Sequence, residues 1–407
     1  MAQTPTKIRR SVTPEQPPAT RRRPTKLQFW RRRLILALLA VTLVLFSYWG
    51  VTLVMYLRNP TYGVTMSARA AEWGRDHGFG LLVTWAEQIN YDLNPPKVGG
   101  RPPSSAFGGG GATHTHLDAP PRVISPAGAW LPGEGVWHPV GREAAGHVPA
   151  MYNAFVREDT VHTSYIAGLV WMDPTLLSTT LYSGQYIPGP GTYSHSAPIT
   201  PLASRTLAAA FNAGFRMQDA RGGYYTDGRM IIPLRKGAAS LVTYKNGDAT
   251  VGAWGYGLTM SPAISSVRQN LDLIVDDSKA NPSLSENDNY QWGATLGGGA
   301  YVWRSALGVT KTGALIYAAG PTLSITSLAQ IMLDAGCVRA MELDINPDWV
   351  QYSIYHGPSG AVVSGANGTR LLSDMLGGPS RYFESWWSRD FVTVSLRPSA
   401  LVATGKK

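Results

Sequence analysis

The chain has 407 residues, a single cysteine and a formal net charge of +10. Residues 1–33 hold ten basic side chains and one acidic side chain, so the rest of the chain holds 26 basic and 25 acidic groups. Because the positive charge is confined to this tail, no basic surface is left for a nucleic-acid-binding domain. The single cysteine, Cys337, excludes an intrachain disulfide framework and a zinc site built from several cysteines.

Residues 34–57 are predicted to form a transmembrane helix, because they run for 24 residues without a charge. The alternative is a cleaved signal peptide, whose apolar region would be shorter and would precede small residues. Tyr56–Pro60 is a poor cleavage site, so we expect a retained span. The basic residues before it predict a disordered cytoplasmic tail at 1–33 and an extracytoplasmic position for the bulk of the chain.

Residues 58–128 are interpreted as one or two juxtamembrane helices followed by a segment rich in proline and glycine, which is either a linker or an extended strap across the next domain. The glycines Gly108–Gly111 lack the preceding strand and the following Gly-Lys-Ser/Thr of a phosphate-binding loop. The two histidines and the aspartate of His114–Asp118 could bind a metal. A flexible segment without a third histidine favours a solvated loop instead.

Residues 129–407 have the pattern of a β-rich domain, with short runs of β-branched and apolar residues. Turn residues at Lys245–Asp248 and Lys311–Gly313 predict two hairpins. The predicted strands are Tyr165–Met172, Leu241–Tyr244, Leu271–Val275, Tyr301–Val309, Ala314–Ala319 and Val338–Leu343.

One clear helix interrupts these strands. Ser324 or Thr326 can cap its amino end, apolar residues then recur at helical spacing, and Gly336 ends it. Many strands with few helices indicate an α+β fold, a mixed β-rich domain preceded by one transmembrane helix.

Three short segments together form a recognisable pattern, although each is weak alone: Phe211–Phe215, Trp303–Thr310 and Gly336–Asp344. Their order resembles the phosphodiester glycosidase family, whose members carry an Asn-Gly-Gly-Phe-Phe-like segment. An Arg-Thr/Ser-Ala-aliphatic-Gly strand and a Leu-Asp-Gly-Gly-Gly-Ser segment follow it in those proteins. The resemblance covers roughly residues 150–360, and the matching residues are Asn212, Gly214, Phe215, Arg304, Ser305, Ala306, Gly308, Leu343 and Asp344.

The resemblance implies a phosphodiester-glycosidase-like fold in which Asp344 acts at the anomeric carbon. Strand alternation would place Val338, Ala340, Glu342 and Asp344 on one face, which makes Glu342 the second candidate carboxylate. Cα atoms two residues apart on a strand are separated by about 6.8 Å. This spacing fits both retaining and inverting hydrolysis, so the stereochemical outcome stays open. Alternatively, Glu342 forms a plain ion pair with Arg304 or Arg339.

The same resemblance suggests substrate-binding residues. Arg304 would hold the phosphate through its planar fork of donors, and Arg216 could assist it. Asn212 offers a donor and an acceptor to sugar hydroxyls, with Gly214 and Ser305 beside it. Alternatively, Asn212 only fixes a turn and Arg216 is solvated. We expect no cofactor and no metal.

These observations predict a membrane-anchored extracytoplasmic glycosidase that hydrolyses sugar-phosphate linkages in cell-envelope glycans. Its expected partners are this glycan substrate and the membrane, which one helix enters, and no nucleic acid. The alternative is an inactive envelope protein of the same fold that binds polysaccharide. Ile345–Pro347 favours that alternative, because it replaces glycines and because Pro347 has no N–H.

Overall fold

The computed structural model describes residues 26–95, 97–102, 120–286, 291–293 and 299–401. The chain divides into two compact units, Met1–Met55 and Tyr56–Lys407. The interpretations of residues 1–25, Gly108–Gly111 and His114–Asp118 lie outside the described residues and stay predictions.

Helix α1, Lys26–Arg58, contains the apolar run. Its segment Arg33–Arg58 is long and apolar enough to cross a membrane, by length and composition alone. The most apolar stretch of this segment is not buried within the described structure, whereas the core helix of a soluble protein is mostly buried. A retained anchor and a signal sequence, the two alternatives weighed from the sequence, both fit this helix.

Two further helices precede the β-rich region, α2 (Met66–Asp76) and α3 (Gly80–Leu93). The Thr65 side chain caps α2 by accepting a hydrogen bond in its first turn. A Cβ atom at Gly74 would lie 2.6 Å from a methyl of Val83, so glycine allows the two helices to approach closely. Two packed helices therefore occupy the segment for which the sequence predicts helical content, and its juxtamembrane position stays a prediction.

The remaining described residues form mostly short strands, and the six predicted strands are confirmed with shifted ends. The strands are β1 His138–Pro139, β2 Glu143–Ala144, β3 Val148–Pro149, β4 Met151–Arg157, β5 Ile166–Met172, β6 Leu177–Tyr182, β7 Leu207–Asn212, β8 Tyr224–Thr226, β9 Arg229–Ile232, β10 Ala239–Tyr244, β11 Ala249–Ala253, β12 Ile264–Gln269, β13 Leu273–Asp276, β14 Lys279–Ala280, β15 Val302–Thr310, β16 Leu315–Leu323, β17 Cys337–Glu342, β18 Tyr352–Tyr355, β19 Gly368–Arg370 and β20 Phe391–Leu396. The other helices are α4 (Pro201–Ser204), α5 (Ile325–Asp334) and the short 3-10 turns Pro60–Tyr62, Gly365–Asn367, Arg381–Phe383 and Pro398–Leu401.

The strands assemble into antiparallel sheets. The largest has eight strands in the order β1-β4-β5-β16-β15-β17-β13-β14. Two five-stranded sheets have the orders β11-β10-β12-β8-β9 and β19-β18-β7-β20-β6, and β2 pairs with β3. The β10–β11 and β15–β16 pairs confirm the two predicted hairpins. Together with the few helices, these sheets confirm the α+β fold class.

Helix α5 forms as the sequence predicts. Ser324 and Ser327 make a reciprocal capping box at its amino end. Gly336 follows its carboxyl end with a φ of +87°, a conformation that favours glycine. Buried side chains of α5, including Leu328 and Met332, pack against the eight-stranded sheet.

The central strand β17 separates two parts of the core. Met341 packs with residues of the five-stranded sheets, whereas Ala340 and Cys337 pack beneath α5. The register of β15 and β17 shifts between Val309 and Thr310, so Val338 packs on the Met341 side. The expectation that Val338 shares a face with Ala340 is therefore wrong, because this bulge interrupts the alternation.

Candidate functional site

The second predicted carboxylate, Glu342, ends β17 and is fully buried. Its Oε1 accepts a hydrogen bond of 2.5 Å from Nη1 of Arg304. The same guanidinium donates to the carbonyls of Leu323 and Trp292, at 3.0 and 3.2 Å. Burial raises the pKa of Glu342 to about 7, although Arg304 acts to lower it. The structure thus shows the Arg304–Glu342 ion pair that the sequence left open.

Asp344 lies just beyond the end of β17 and is 4% exposed. Its Oδ1 accepts a hydrogen bond of 2.9 Å from the backbone N–H of Asn346. Burial raises the pKa of Asp344 to about 6; Arg389 and the N–H groups of Asn346 and Ile345 act against this rise. The segment that replaces the family glycines therefore still supplies backbone donors to this carboxylate.

Asn212 and Ser305 fix the backbone around Asp344. The Asn212 amide nitrogen donates to Oγ of Ser305 at 3.0 Å and to the carbonyl of the next residue. Its Oδ1 accepts from the Tyr317 hydroxyl and from the N–H of Gln351. The Ser305 hydroxyl then donates to the carbonyl of Asp344 at 2.7 Å. These partners use the whole hydrogen-bonding capacity of the Asn212 amide, which favours the structural reading over contact with a sugar.

Gly214 allows the 212–215 segment to approach β17. A Cβ atom here would lie 2.8 Å from Oδ1 of Asn270. That oxygen accepts from the N–H of Phe215, while the Asn270 amide donates to the carbonyl of Glu342 at 2.8 Å. Asn270 thus joins two of the three motif segments, and a side chain at Gly214 would separate them.

Arg216 is not solvated: its side chain is 15% exposed and contacts helix α2. Its Nη1 lies 2.9 Å from Oε2 of Glu72 and 3.5 Å from Oδ1 of Asp76. Its Nε donates to the exposed Asp219 at 3.2 Å. Neither carboxylate of α2 was predicted from the sequence as a partner of Arg216.

A second arginine, Arg389, lies on the other side of Glu72. Its Nη2 is 3.7 Å from Oε1 of Glu72, and its guanidinium stands 4.4 Å over the ring of Trp349. Its Nη1 is buried and has no hydrogen-bond partner among the described residues. Arg389 acts to lower the pKa of Asp344, whereas Glu72 acts to raise it. Glu72 therefore has Arg216 and Arg389 within ion-pair distance, together with Arg75 of its own helix at 3.6 Å.

These groups belong to a cleft with about 310 Å³ of empty space, part of it open to solvent. Aromatic rings and the two arginines contribute to its walls, and Asp344 is not among the lining side chains. The lining residues are Thr61, Tyr62, Glu72, Asp76, Tyr186, Arg216, Trp349, Ser388 and Arg389.

Sequence reasoning missed Glu72 and Arg389. Glu72 and Asp76 stand four residues apart, so both carboxylates project from one face of α2, and this spacing was a usable signal. The sequence signal for Arg389 was weaker: it is a basic residue inside the aromatic segment 386–391. No local pattern indicates that these distant segments meet.

The motif residues all fall within a segment that a family model recognises. Residues 205–344 match the model of the phosphodiester glycosidase family. This segment belongs to that family. The match confirms the resemblance drawn from the three motifs and supports a glycosidase-type function. It ends at Asp344 and includes neither Glu72 nor Arg389.

Solved structures with weaker similarity include a zebrafish enzyme, the N-acetylglucosamine-1-phosphodiester alpha-N-acetylglucosaminidase catalytic domain, described as auto-inhibited by its pro-peptide. It is 15% identical, with 63% of this chain and 87% of that chain covered and a TM-score of 0.38. A hypothetical protein from Synechocystis is 12% identical, with 62% and 63% covered and a TM-score of 0.33. The search of curated proteins finds no match.

Proposed function

We propose that the chain is a membrane-anchored extracytoplasmic glycosidase that hydrolyses glycosyl phosphodiester linkages in cell-envelope glycans. The observation that supports this most is the pair of arginines, Arg216 and Arg389, that approach the buried carboxylate of Glu72. A site that stabilises the carboxylate of Glu72 in this way is chemically suited to the anionic group of a phosphodiester.

Arg216 and Arg389, rather than Arg304, are the proposed phosphate-binding residues. Both line the cleft, whereas the donors of Arg304 reach Glu342 and two backbone carbonyls. The buried Nη1 of Arg389 offers a donor that no described residue uses. Substrate binding would replace Glu72, so α2 must withdraw this side chain before the phosphodiester can enter.

Asp344 is the proposed carboxylate at the anomeric carbon. In its ionised form it either attacks that carbon or takes a proton from the attacking water. The bond from the anomeric carbon to the phosphate oxygen breaks, and its electron pair leaves with the phosphate monoester. Because this leaving group is already anionic, the site needs no strong acid to protonate it. Water supplies the new hydroxyl of the sugar and its second proton passes to solvent.

Three residues are proposed to position Asp344 without touching the substrate: Glu342, Asn212 and Ser305. Glu342 is joined to Arg304, and its carbonyl accepts from Asn270 beneath the 212–215 segment. Ser305 holds the carbonyl of Asp344 directly. The half-exposed ring of Tyr186 lines the same cleft and offers an apolar face to a sugar ring.

The alternative, an inactive polysaccharide-binding protein, is favoured by one observation. Asp344 is almost wholly buried, and Arg216 and Arg389 already have an internal carboxylate in Glu72. An inactive protein would keep this arrangement permanently, whereas an enzyme must release it.

The deciding experiment incubates the purified full-length chain with glycosyl phosphodiesters and measures sugar and phosphate monoester together. The proposal expects equal release of both and a loss of roughly 10²–10⁴-fold or more in Asp344→Asn, since this change keeps the size and removes the charge. Polysaccharide binding without release by either protein would support the alternative. A folded Asp344→Asn variant with full activity would remove Asp344 from the mechanism.

A further inference from the structure

Helix α3 presents a row of large apolar side chains to solvent. Leu81, Trp85 and Leu93 are 88%, 64% and 74% exposed, and Leu82 and Ile89 are also exposed. At the spacing of an α-helix, these five positions fall within an arc of about 120°. We call this surface the α3 stripe.

A different side of α3 faces the folded unit. Val83 packs against Gly74 of α2. Glu87 accepts a hydrogen bond of 2.8 Å from Arg75. The helix is thus fixed in rotation, and the stripe points away from the protein. Its sequence, GLLVTWAEQINYDL, contains no lysine or arginine.

The stripe lies near the carboxyl end of the apolar helix α1. The last turn of α1 belongs to the same compact unit as α2 and α3. There the Tyr56 ring stacks on Tyr62 at 3.7 Å and meets His77 edge-on at 5.6 Å. Arg69 of α2 also donates to the carbonyl of Leu57 at 2.8 Å. Because α3 begins three residues after His77, its first turn is held close to the point where α1 ends.

We propose that α3 lies in the membrane interface, with the α3 stripe inserted at the boundary between headgroups and acyl chains. A retained α1 would end at the bilayer surface, and the first turn of α3 is held close to that end by the contacts of Tyr56 and Leu57. Trp85 has the amphipathic ring that interfacial positions favour. Because the helix has no basic residue, apolar burial drives the contact and anionic lipid adds nothing. The inference rests on a retained α1 and is independent of hydrolysis at Asp344.

The test uses the full-length chain in phosphatidylcholine vesicles, with and without phosphatidylglycerol. A spin label is attached to Leu82→Cys or Leu93→Cys on the stripe. Thr84→Cys is the matched control, exposed on a different side of the same helix. The natural Cys337 is buried, so labelling is directed to the new residue. Collision with oxygen is then compared with collision with a neutral, water-soluble nickel chelate.

Labels at positions 82 and 93 should collide more with oxygen than with the chelate, and the label at 84 should show the reverse, in both lipid mixtures. Equal behaviour at all three positions would overturn the proposal, as would an effect that requires phosphatidylglycerol. Protection from both reagents, with spin–spin broadening that unlabelled protein dilutes away, would show a second copy on the stripe instead. Agreement between the two stripe positions guards against a local effect of either substitution.

Discussion

Glu72 of α2 places its carboxylate 2.9 Å from the guanidinium of Arg216, although 144 residues separate them in the chain. The contact joins a helix that follows the apolar span to a residue within the family segment. Since Arg389 approaches the same carboxylate, Glu72 pairs with both arginines of the proposed phosphate site.

Glu72→Gln should strengthen substrate binding. The change removes the competing charge, and a hydrogen bond to a charged group contributes about 1.5–3 kcal/mol, so KM for a phosphodiester should fall roughly tenfold or more. Steady-state kinetics on the full-length chain would measure it. Asp219→Asn is the matched control, because Asp219 pairs with the same arginine from a half-exposed position and should change KM little. Similar effects of both substitutions would argue against an internal anion at Glu72.

The pH dependence of kcat/KM should report the ionisation of Asp344. Burial raises the pKa of Asp344 to about 6, so activity should fall as the pH drops through this value and the carboxylate is protonated. Glu72 acts to raise this pKa, so Glu72→Gln should move the acid limb to lower pH. A limb that stays in place in this variant would mean that another group controls it.

Arg216→Lys and Arg389→Lys should separate anionic from neutral substrates. Lysine keeps the charge but loses the planar fork, so KM for the phosphodiester should rise about tenfold while a neutral glycoside of the same sugar is little affected. Arg229→Lys, at a half-exposed arginine, serves as the control. If Arg304→Lys alone discriminated between the substrates, the sequence-based assignment of the phosphate site would be right and the present one wrong.

Arg304→Met should destabilise the fold by about 3–5 kcal/mol, because it leaves Glu342 buried without its partner. The folded-state pKa of Glu342 is already raised to about 7 and should rise further, since Arg304 acts to lower it. A carboxyl group whose pKa is raised in the folded state favours folding at low pH. The folded state loses this stabilisation as the pH rises from the unfolded-state pKa towards the folded-state pKa. Denaturant unfolding should therefore show a smaller deficit near pH 5 than near pH 8. Equal deficits at both would contradict a buried, titrating Glu342.

Local patterns predicted those parts of the fold that depend on neighbouring residues. The caps of α5 and the turns of two hairpins are short-range signals, and all three elements formed as expected. The face of Val338 was missed because the bulge in β17 depends on its pairing with β15. Alternation along one strand carries no information about such a register shift.

The candidate site was predictable only along the family motifs. Asp344, Glu342 and Arg304 were proposed from their segments, but the sequence could not decide between an ion pair and a substrate contact for Arg304. Glu72 and Arg389 lie outside the motifs, and only the tertiary fold brings them together. Their juxtaposition depends on α2 packing across the domain, which no pattern in either segment encodes.

The most direct test of the account is which bond breaks. The full-length chain and its Glu72→Gln and Asp344→Asn variants would be incubated with a glycosyl phosphodiester in oxygen-18-labelled water, and the phosphate monoester would be analysed by mass spectrometry. Cleavage at the anomeric carbon predicts a phosphate monoester without the label, released faster by Glu72→Gln and lost in Asp344→Asn. Labelled phosphate monoester would show attack at phosphorus and contradict a glycosidase. If neither the unaltered chain nor the Glu72→Gln variant released any phosphate monoester, catalysis itself would be contradicted.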